Sequence, residues 1–195
     1  MDEGTYETLL CPASFELKEK GSKFLAFAYP VKDEEAIKIC LDELKSSYPD
    51  ATHHCYAYKL FDTYRANDDG EPKNSAGLPI YRQILSENLE GTLVVVVRYY
   101  GGKKLGVAGL VKAYGEAAKQ CLSSAERTIA IPTLDYKINC EINSQYLVYE
   151  YCNRLGVQPE IMDNTTFKFS IESKMTSKIE ELCEIYPTLE VYLDQ

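Results

Sequence analysis

The chain has 195 residues, 45% of them hydrophobic, which supports one or two folded cores and excludes an intrinsically disordered protein. A formal net charge of −9 argues against a protein that binds nucleic acid over its whole surface, and no apolar run approaches the roughly 18 residues of a transmembrane helix. Seven scattered cysteines without a C-x-x-C pair argue against a disulfide frame or structural zinc site and indicate reduced, mostly buried thiols.

The first part of the chain mixes strand and helix patterns. A polar, glycine-bearing turn at residues 18–23 separates two apolar runs and predicts a β-hairpin within residues 13–31. Residues 32–49 carry apolar residues in helical clustering between an acidic start and a proline, so they predict a helix. Residues 51–60 alternate and are rich in aromatic side chains, which predicts a strand.

The middle of the chain contains the least regular segment. Residues 61–79 are polar and broken by Gly and Pro, which predicts a long loop of the kind that is usually functional. A short helix near residues 79–87 leads to a β-branched run at residues 91–100, which predicts a strand buried on both faces. A helix over residues 107–127 then follows, and residues 129–134 resemble a linker.

The last part of the chain predicts the order β-α-β-β-α-β, the ferredoxin-like split-βαβ pattern, and each of its helices meets a Gly or Pro stop. The predicted strands cover residues 135–142, 157–163, 165–173 and 189–194, and the helices cover 144–156 and 177–187. The sequence therefore predicts an α+β protein of two domains, residues 1–130 and 131–195.

A basic, glycine-rich stretch follows the apolar strand at residues 98–122. It contains five basic residues and one acidic residue, so a positive patch is expected on an acidic body. Arg98, Lys103, Lys104 and Lys112 are candidates to bind an anion together with free N–H groups at the helix start. The stretch matches neither a Walker A loop nor G-x-G-x-x-G. The alternative is a tight turn with solvated lysines.

An acidic turn at residues 68–77 is the second candidate. Its three carboxylates, Asp68, Asp69 and Glu71, are of the type that holds a divalent cation or serves as general acid and base. The turn does not match the calcium-loop template. We favour a solvated turn, or carboxylates that brace the basic loop by ion pairs.

Residues 53–55, His-His-Cys, lie on a predicted strand. His53 and Cys55 share one face and His54 lies on the other, so the three cannot hold one metal ion. His53 and Cys55 would lack a third group to orient them as a catalytic base and nucleophile. We therefore favour a role for these residues in core packing or in a supporting hydrogen bond. Tyr99, Tyr100 and Tyr114 flank the basic loop, where aromatic rings suit base stacking, but alternation turns either Tyr99 or Tyr100 toward the core.

Three motifs, HHCYAY, DDGEPKNSAGLP and VVVVRYYGGKKLGVAGLVKAYG, closely resemble the Impact and YigZ family over about residues 15–125. The resemblance implies a first domain like a ribosomal small-subunit protein domain and domain IV of elongation factor G, and a tail like domain V of that factor. Eukaryotic relatives act in translational control and carry a different partner domain. His53 and Cys55 match the first motif. Departures from the pattern occur at Asn74, Ser75, Ala108 and Lys112.

From these patterns we expect a cytoplasmic, translation-associated protein that binds RNA or a ribosome-associated factor, with no membrane contact, no cofactor and no metal. The expected site residues are Asp68, Asp69, Gly70, Glu71, Pro72, Arg98, Tyr99, Gly101, Gly102, Lys104, Gly106, Gly109, Lys112 and Tyr114. We expect Arg98, Lys104 and Lys112 to meet phosphate, the glycines to allow close approach, and the carboxylates to hold the basic side chains. The alternatives are a small-molecule enzyme with a carboxylate-held metal and a phosphorylated substrate, or a protein-interaction module that uses the tail's sheet.

Overall fold

The computed structural model describes residues 4–61 and 63–194, which fall into two compact units. The first unit is Tyr6–Ala130, and the second contains residues 131–194 together with residues 4 and 5. The ends of the predicted domains at residues 1 and 195, and Asp62 of the predicted loop, lie outside the described residues.

The first unit is an antiparallel sheet with helices on both faces. Its elements are, in chain order, β1 (Tyr6–Leu9), β2 (Ala13–Glu19), β3 (Ser22–Pro30), α1 (Glu34–Ser47), β4 (His53–Lys59), β5 (Tyr64–Asn67), α2 (Gly77–Ser86), β6 (Thr92–Tyr99), α3 (Gly106–Ser124) and β7 (Arg127–Ala130). The main sheet has the order β2-β3-β6-β4-β5, and β1 pairs separately with β7. The hairpin β2–β3, helix α1 and strand β6 confirm the sequence prediction.

Two segments predicted as irregular contain strands. The predicted loop at residues 61–79 includes β5, which pairs antiparallel with β4. The predicted linker at residues 129–134 includes the end of β7, which pairs with β1 at the other end of the unit. Both predictions were wrong because a four-residue strand acquires its hydrogen-bond partners from tertiary structure, which local periodicity does not report.

Strand β6 lies at the centre of the sheet and is buried on both faces, as predicted. Val94 and Val96 pack in the cluster formed with α2 and α3, whereas Val95 and Val97 pack in the cluster formed with α1. The last residues of β6 pair with the first residues of β3, beside the β2–β3 turn. The loop that follows β6 therefore begins at the middle of the sheet.

The second unit has the element order β-α-β-β-α-β that the sequence predicts. Its elements are β8 (Thr133–Asn139), α4 (Gln145–Leu155), β9 (Glu160–Ile161), β10 (Thr166–Glu172), α5 (Thr176–Ile185) and β11 (Glu190–Leu193), with 3₁₀ turns (Ile142–Ser144, Ser173–Met175) before the helices. The strands form an antiparallel sheet in the order β11-β8-β10-β9. Helix α4 ends at Gly156, whose φ of +77° is the left-handed conformation expected of a glycine stop.

All seven cysteines are free thiols, and four of them are buried. Burial raises the pKa of these four thiols, Cys55, Cys121, Cys140 and Cys152. The expectation that most of the cysteines are buried is confirmed for these four of the seven, and their reduced state stays a prediction. Across the described ranges, none of the helices is both long and apolar enough to span a membrane.

Candidate nucleic-acid interface

The acidic turn is organised around the carboxylate of Asp68. Its Oδ1 accepts hydrogen bonds from the backbone N–H groups of Ala76 and Gly77, each at 2.9 Å, and its Oδ2 accepts one from Asn74 at 2.7 Å. Helix α2 begins at Gly77, so the carboxylate satisfies donors at a helix N-terminus, where negative charge is favourable. Asp68 therefore stabilises the turn and α2. Among the described residues it holds no basic side chain, in contrast to the expectation from the sequence.

Asp69 attaches the same turn to strand β4. Its Oδ2 accepts a hydrogen bond from the backbone N–H of His54 at 2.6 Å, and its carbonyl oxygen lies 2.7 Å from Nδ1 of His53. Asp69 and Gly70 have φ values of +41° and +84°. The left-handed backbone reverses the chain here. The Asp69 carboxylate binds one backbone N–H group and, within the described ranges, no basic side chain.

Glu71 is the carboxylate that binds a basic side chain. Its side chain is only 4% exposed, and its Oε1 accepts hydrogen bonds from Arg98 Nη1 at 2.5 Å and from the Tyr114 hydroxyl at 2.8 Å. His53 Nε2 lies 3.8 Å from the same oxygen. A buried carboxylate is stable when it is paired and hydrogen-bonded in this way. Of the three acids in the turn, Glu71 is thus the one that forms the predicted ion pair with a basic residue, Arg98.

Arg98 lies inside the unit. It is 5% exposed, and its guanidinium carbon lies 5.4 Å from the centroid of the Phe24 ring and 5.5 Å from that of Tyr100. Its Nη2 lies 3.3 Å from Ser22 Oγ, and its Nε has no hydrogen-bond partner among the described residues. The expectation that Arg98 meets phosphate at the surface does not fit this placement, because its charge is paired with Glu71 below the surface.

The Tyr114 ring is fully buried and so cannot stack on a nucleobase. Cys55 lies against its hydroxyl at 3.4 Å and donates a hydrogen bond to the Asp68 carbonyl at 3.0 Å. Burial raises the pKa of both Cys55 and Tyr114. Both groups therefore keep their protons at neutral pH, and a thiolate nucleophile does not form here.

The faces of β4 are as the alternation predicts. His53 and Cys55 both contact the acidic turn, whereas His54 lies on the other face, where burial lowers the pKa of its imidazole. Among residues 4–61 and 63–194, no three His, Cys, Asp or Glu side chains are grouped so as to hold a metal ion.

The glycines of the basic stretch serve the fold in different ways. A Cβ on Gly101 would lie 1.9 Å from the carbonyl carbon and oxygen of Gly21, so the loop after β6 packs backbone to backbone on the β2–β3 turn. Gly102 and Gly106 have φ values of +81° and +72°. A Cβ on Gly109 would lie 2.9 Å from Leu105 Cβ. The backbone that approaches Gly101 closely is therefore that of Gly21 and not that of a ligand. Gly102 and Gly106 allow a left-handed backbone, and Gly109 leaves room for Leu105.

The exposed cations lie after β6 and along α3. Lys103, Lys104, Lys112 and Lys119 are exposed, and none forms an ion pair with a residue that the structure describes. Helix α3 begins at Gly106, and its N-cap residue, Leu105, is apolar and makes no side-chain capping hydrogen bond. Its first N–H groups therefore add positive potential next to unpaired lysines.

A pocket of about 430 Å³ lies where the acidic turn, the end of β6 and the start of α3 meet. It is lined by Glu71, Pro72, Arg98, Tyr100, Lys104, Leu105, Gly106, Val107 and Leu110. Lys112 lines a separate pocket of about 250 Å³ on the other side of Leu105, so the structure does not bring it together with Arg98 and Lys104. Gly109 lines the second pocket as well.

Tyr100 borders the first pocket and is 46% exposed, whereas Tyr99 packs in the cluster with α1. The sequence left open which of the two faces the core and included Tyr99 in the site; of the two residues, Tyr100 is the one that borders the pocket. Ser22 and Phe24 were missed because they reach Arg98 only through the pairing of β3 with β6. Alternation places Arg98 on the same face of β6 as Val94 and Val96, and the sequence predicts both faces of this strand to be buried, so the burial of Arg98 could have been inferred.

Residues 20–122 match the model of the Impact N-terminal domain. An IMPACT family member of Thermus thermophilus is 44% identical over 115 residues, which cover 59% of this chain and 61% of the relative. The Bacillus subtilis protein YvyE, also an IMPACT family member, is 31% identical over 191 residues, which cover 91% of this chain and 84% of the relative.

The fold also occurs in a solved structure. A crystal structure described as that of a hypothetical protein aligns with a TM-score of 0.74 and 25% sequence identity, covering 98% of both chains. The family model lies within the first unit, and the YvyE match extends over most of the chain. The chain therefore belongs to the Impact family.

Proposed function

We propose that this chain is a cytoplasmic, translation-associated regulatory protein whose first unit binds the phosphate backbone of RNA, free or within the ribosome. The observation that carries the proposal is the group of exposed lysines, Lys103, Lys104 and Lys112, which have no carboxylate partner among the described residues and lie at or near the uncapped start of α3. Unpaired cations beside a helix N-terminus attract phosphate groups.

The net charge of −9 is a sum over both units and does not by itself describe the charges around the loop after β6. Residues 131–195 carry 5 basic and 11 acidic residues, so most of the excess negative charge lies outside the first unit. At physiological ionic strength the Debye length is about 8 Å, and charges farther away are largely screened. Within the first unit, the charges close to a phosphate at the loop after β6 include Lys103 and Lys104, which the loop itself carries.

Arg98 and Glu71 support this surface from below. Their buried pair and the Gly101 contact with the β2–β3 turn fix the loop that carries Lys103 and Lys104. A prepositioned loop loses less conformational freedom when it binds. In this proposal the acidic turn is structural, and the exposed lysines and the start of α3 make the contacts.

The link to translation comes from the family. The resemblance associates eukaryotic members with translational control, and the element order of the second unit is that of the ferredoxin-like pattern, as in domain V of elongation factor G. We propose that the second unit has this fold and a supporting role on the ribosome.

The test is a titration of labelled single-stranded RNA with the full chain at salt concentrations from about 50 to about 200 mM. The variant Lys104→Ala/Lys112→Ala is compared with Lys38→Ala/Lys45→Ala, which removes two exposed lysines from α1 on the other face of the sheet. If each lysine contacts one phosphate, the first variant reduces the slope of log affinity against log salt by about 1.4, and the control leaves it unchanged. Affinity that is independent of salt would refute the proposal.

A further inference from the structure

We propose that the 430 Å³ pocket at the start of α3 binds a single nucleotide unit, with its base in the pocket and its phosphate beside Lys104 and the first N–H groups of the helix. This inference rests on the proposed RNA binding and goes further, because it names the part of the RNA that is recognised and the place where it lies.

The walls of the pocket suit a flat, weakly polar group. Pro72, Leu105, Val107 and Leu110 supply apolar surface, and Val107 is 57% exposed although it is apolar. Tyr100 is 46% exposed at the edge and offers an aromatic ring. Pockets of roughly 300–1,000 Å³ hold small ligands, and unstacked bases in RNA recognition stack on aromatic side chains.

The charges at the pocket favour an anion attached to that flat group. Lys104 is exposed and unpaired among the described residues, and Gly106 places the uncapped start of α3 in the lining. Arg98 also lines the pocket, and its charge is paired with Glu71, but its Nε has no hydrogen-bond partner in the described part of the chain and can donate to a ligand. The net positive charge at the pocket therefore comes from Lys104 and the helix start.

Glu71 is the acid in the lining, and its carboxylate is occupied by Arg98 and Tyr114. It therefore opposes the phosphate less than a free carboxylate would. An apolar pocket with cationic groups on one side matches a base joined to a phosphate better than either part alone.

The test uses adenosine 5′-monophosphate, adenosine and inorganic phosphate as separate probes in NMR titrations of the full-length chain. We expect the monophosphate to bind at least about tenfold more tightly than either of the other probes, because it makes both sets of contacts. The amide shifts are expected at Gly102, Gly106 and Val107. Equal affinity for inorganic phosphate and the monophosphate would overturn the proposal, since the base would then contribute nothing.

The location is tested with Val107→Asp, which places a negative charge in the pocket lining. Folding is expected to survive, because an acid in the first turn of a helix is favourable. Ile39→Asp, on the exposed side of α1 at 53% exposure, is the matched control. We expect Val107→Asp and Lys104→Ala each to weaken monophosphate binding by about tenfold and Ile39→Asp to leave it unchanged. Equal affinities of Val107→Asp and the control would overturn the proposal.

The same samples separate this inference from the RNA proposal. Salt-dependent RNA binding without any binding of the monophosphate would overturn the nucleotide pocket and leave the RNA proposal standing. Monophosphate binding that Val107→Asp weakens by about tenfold, without RNA binding, would support the pocket and refute the RNA proposal.

Discussion

Removal of the Glu71 carboxylate tests the buried network beneath the loop. Glu71→Ala leaves the Arg98 guanidinium, which is 5% exposed, without its anion, and leaves the buried Tyr114 hydroxyl without an acceptor. Breaking a buried ion pair by removing one partner costs about 3–5 kcal/mol of stability. Arg98→Ala is expected to cost a similar amount, because it leaves the Glu71 carboxylate buried and unpaired. In the double variant neither charge remains, so the loss is smaller than the sum by about 0.5–3 kcal/mol.

The assay is urea unfolding of the full chain followed by far-UV circular dichroism. The chain has two compact units, so we expect the free energy of unfolding to fall only for the transition of the first unit. Leu182→Ala, in the core of the second unit, identifies the other transition, which it lowers by about 2–5 kcal/mol. The reasoning is refuted if both single variants lose less than about 1 kcal/mol, or if the double variant loses the full sum.

Three further changes test other parts of the first unit. Gly101→Ala is expected to lower the melting temperature, since its Cβ would lie 1.9 Å from the backbone of the β2–β3 turn. The control Gly115→Ala, in α3, makes only ordinary contacts and is expected to be neutral or stabilising. Equal melting temperatures of the two variants would contradict this. Asp68→Ala removes the acceptor of three backbone N–H groups, so urea unfolding should show a loss of about 1–3 kcal/mol, and an unchanged midpoint would refute its structural role. Burial raises the pKa of Cys55 and Cys121 above the ordinary thiol value of 9.0, so the folded state retains protons that the unfolded state releases. The contribution of the two thiols to stability is present below about pH 9 and decreases as the pH rises. Above about pH 9 the free energy of unfolding should therefore fall less steeply with pH in Cys55→Ala/Cys121→Ala than in the original chain, and equal slopes would contradict this.

Elements with a strong local signal could be predicted from the sequence. Strand β6 is a run of β-branched residues, and its burial on both faces follows from that composition. Helix α1 begins after Asp33, whose side chain accepts a hydrogen bond from the Ala36 N–H at 2.7 Å. The acidic residues of the first turn of α1 are a helix-start signal in the sequence. In contrast, β7 depends on the distant strand β1 and β5 on the preceding strand β4, and both strands were missed.

The roles within the site were harder to predict than its location. Three carboxylates within four positions do not reveal which one faces the interior. The left-handed backbone at Asp69 and Gly70 reverses the chain before Glu71, the acid that lies inside, and tertiary structure decides this. The burial of Tyr114 follows from the helical spacing of Leu110, Tyr114 and Ala117, so this part was available from periodicity.

The most direct test of the central claim is photochemical crosslinking of the full chain to RNA, with the crosslinked residues identified by mass spectrometry. Tyr100 is exposed beside Lys104 and the start of α3, so we expect crosslinks to concentrate within residues 98–112 and to decrease in the Lys104→Ala/Lys112→Ala variant. Crosslinks that map to α1 or to residues 131–194, and that are insensitive to this variant, would contradict the account.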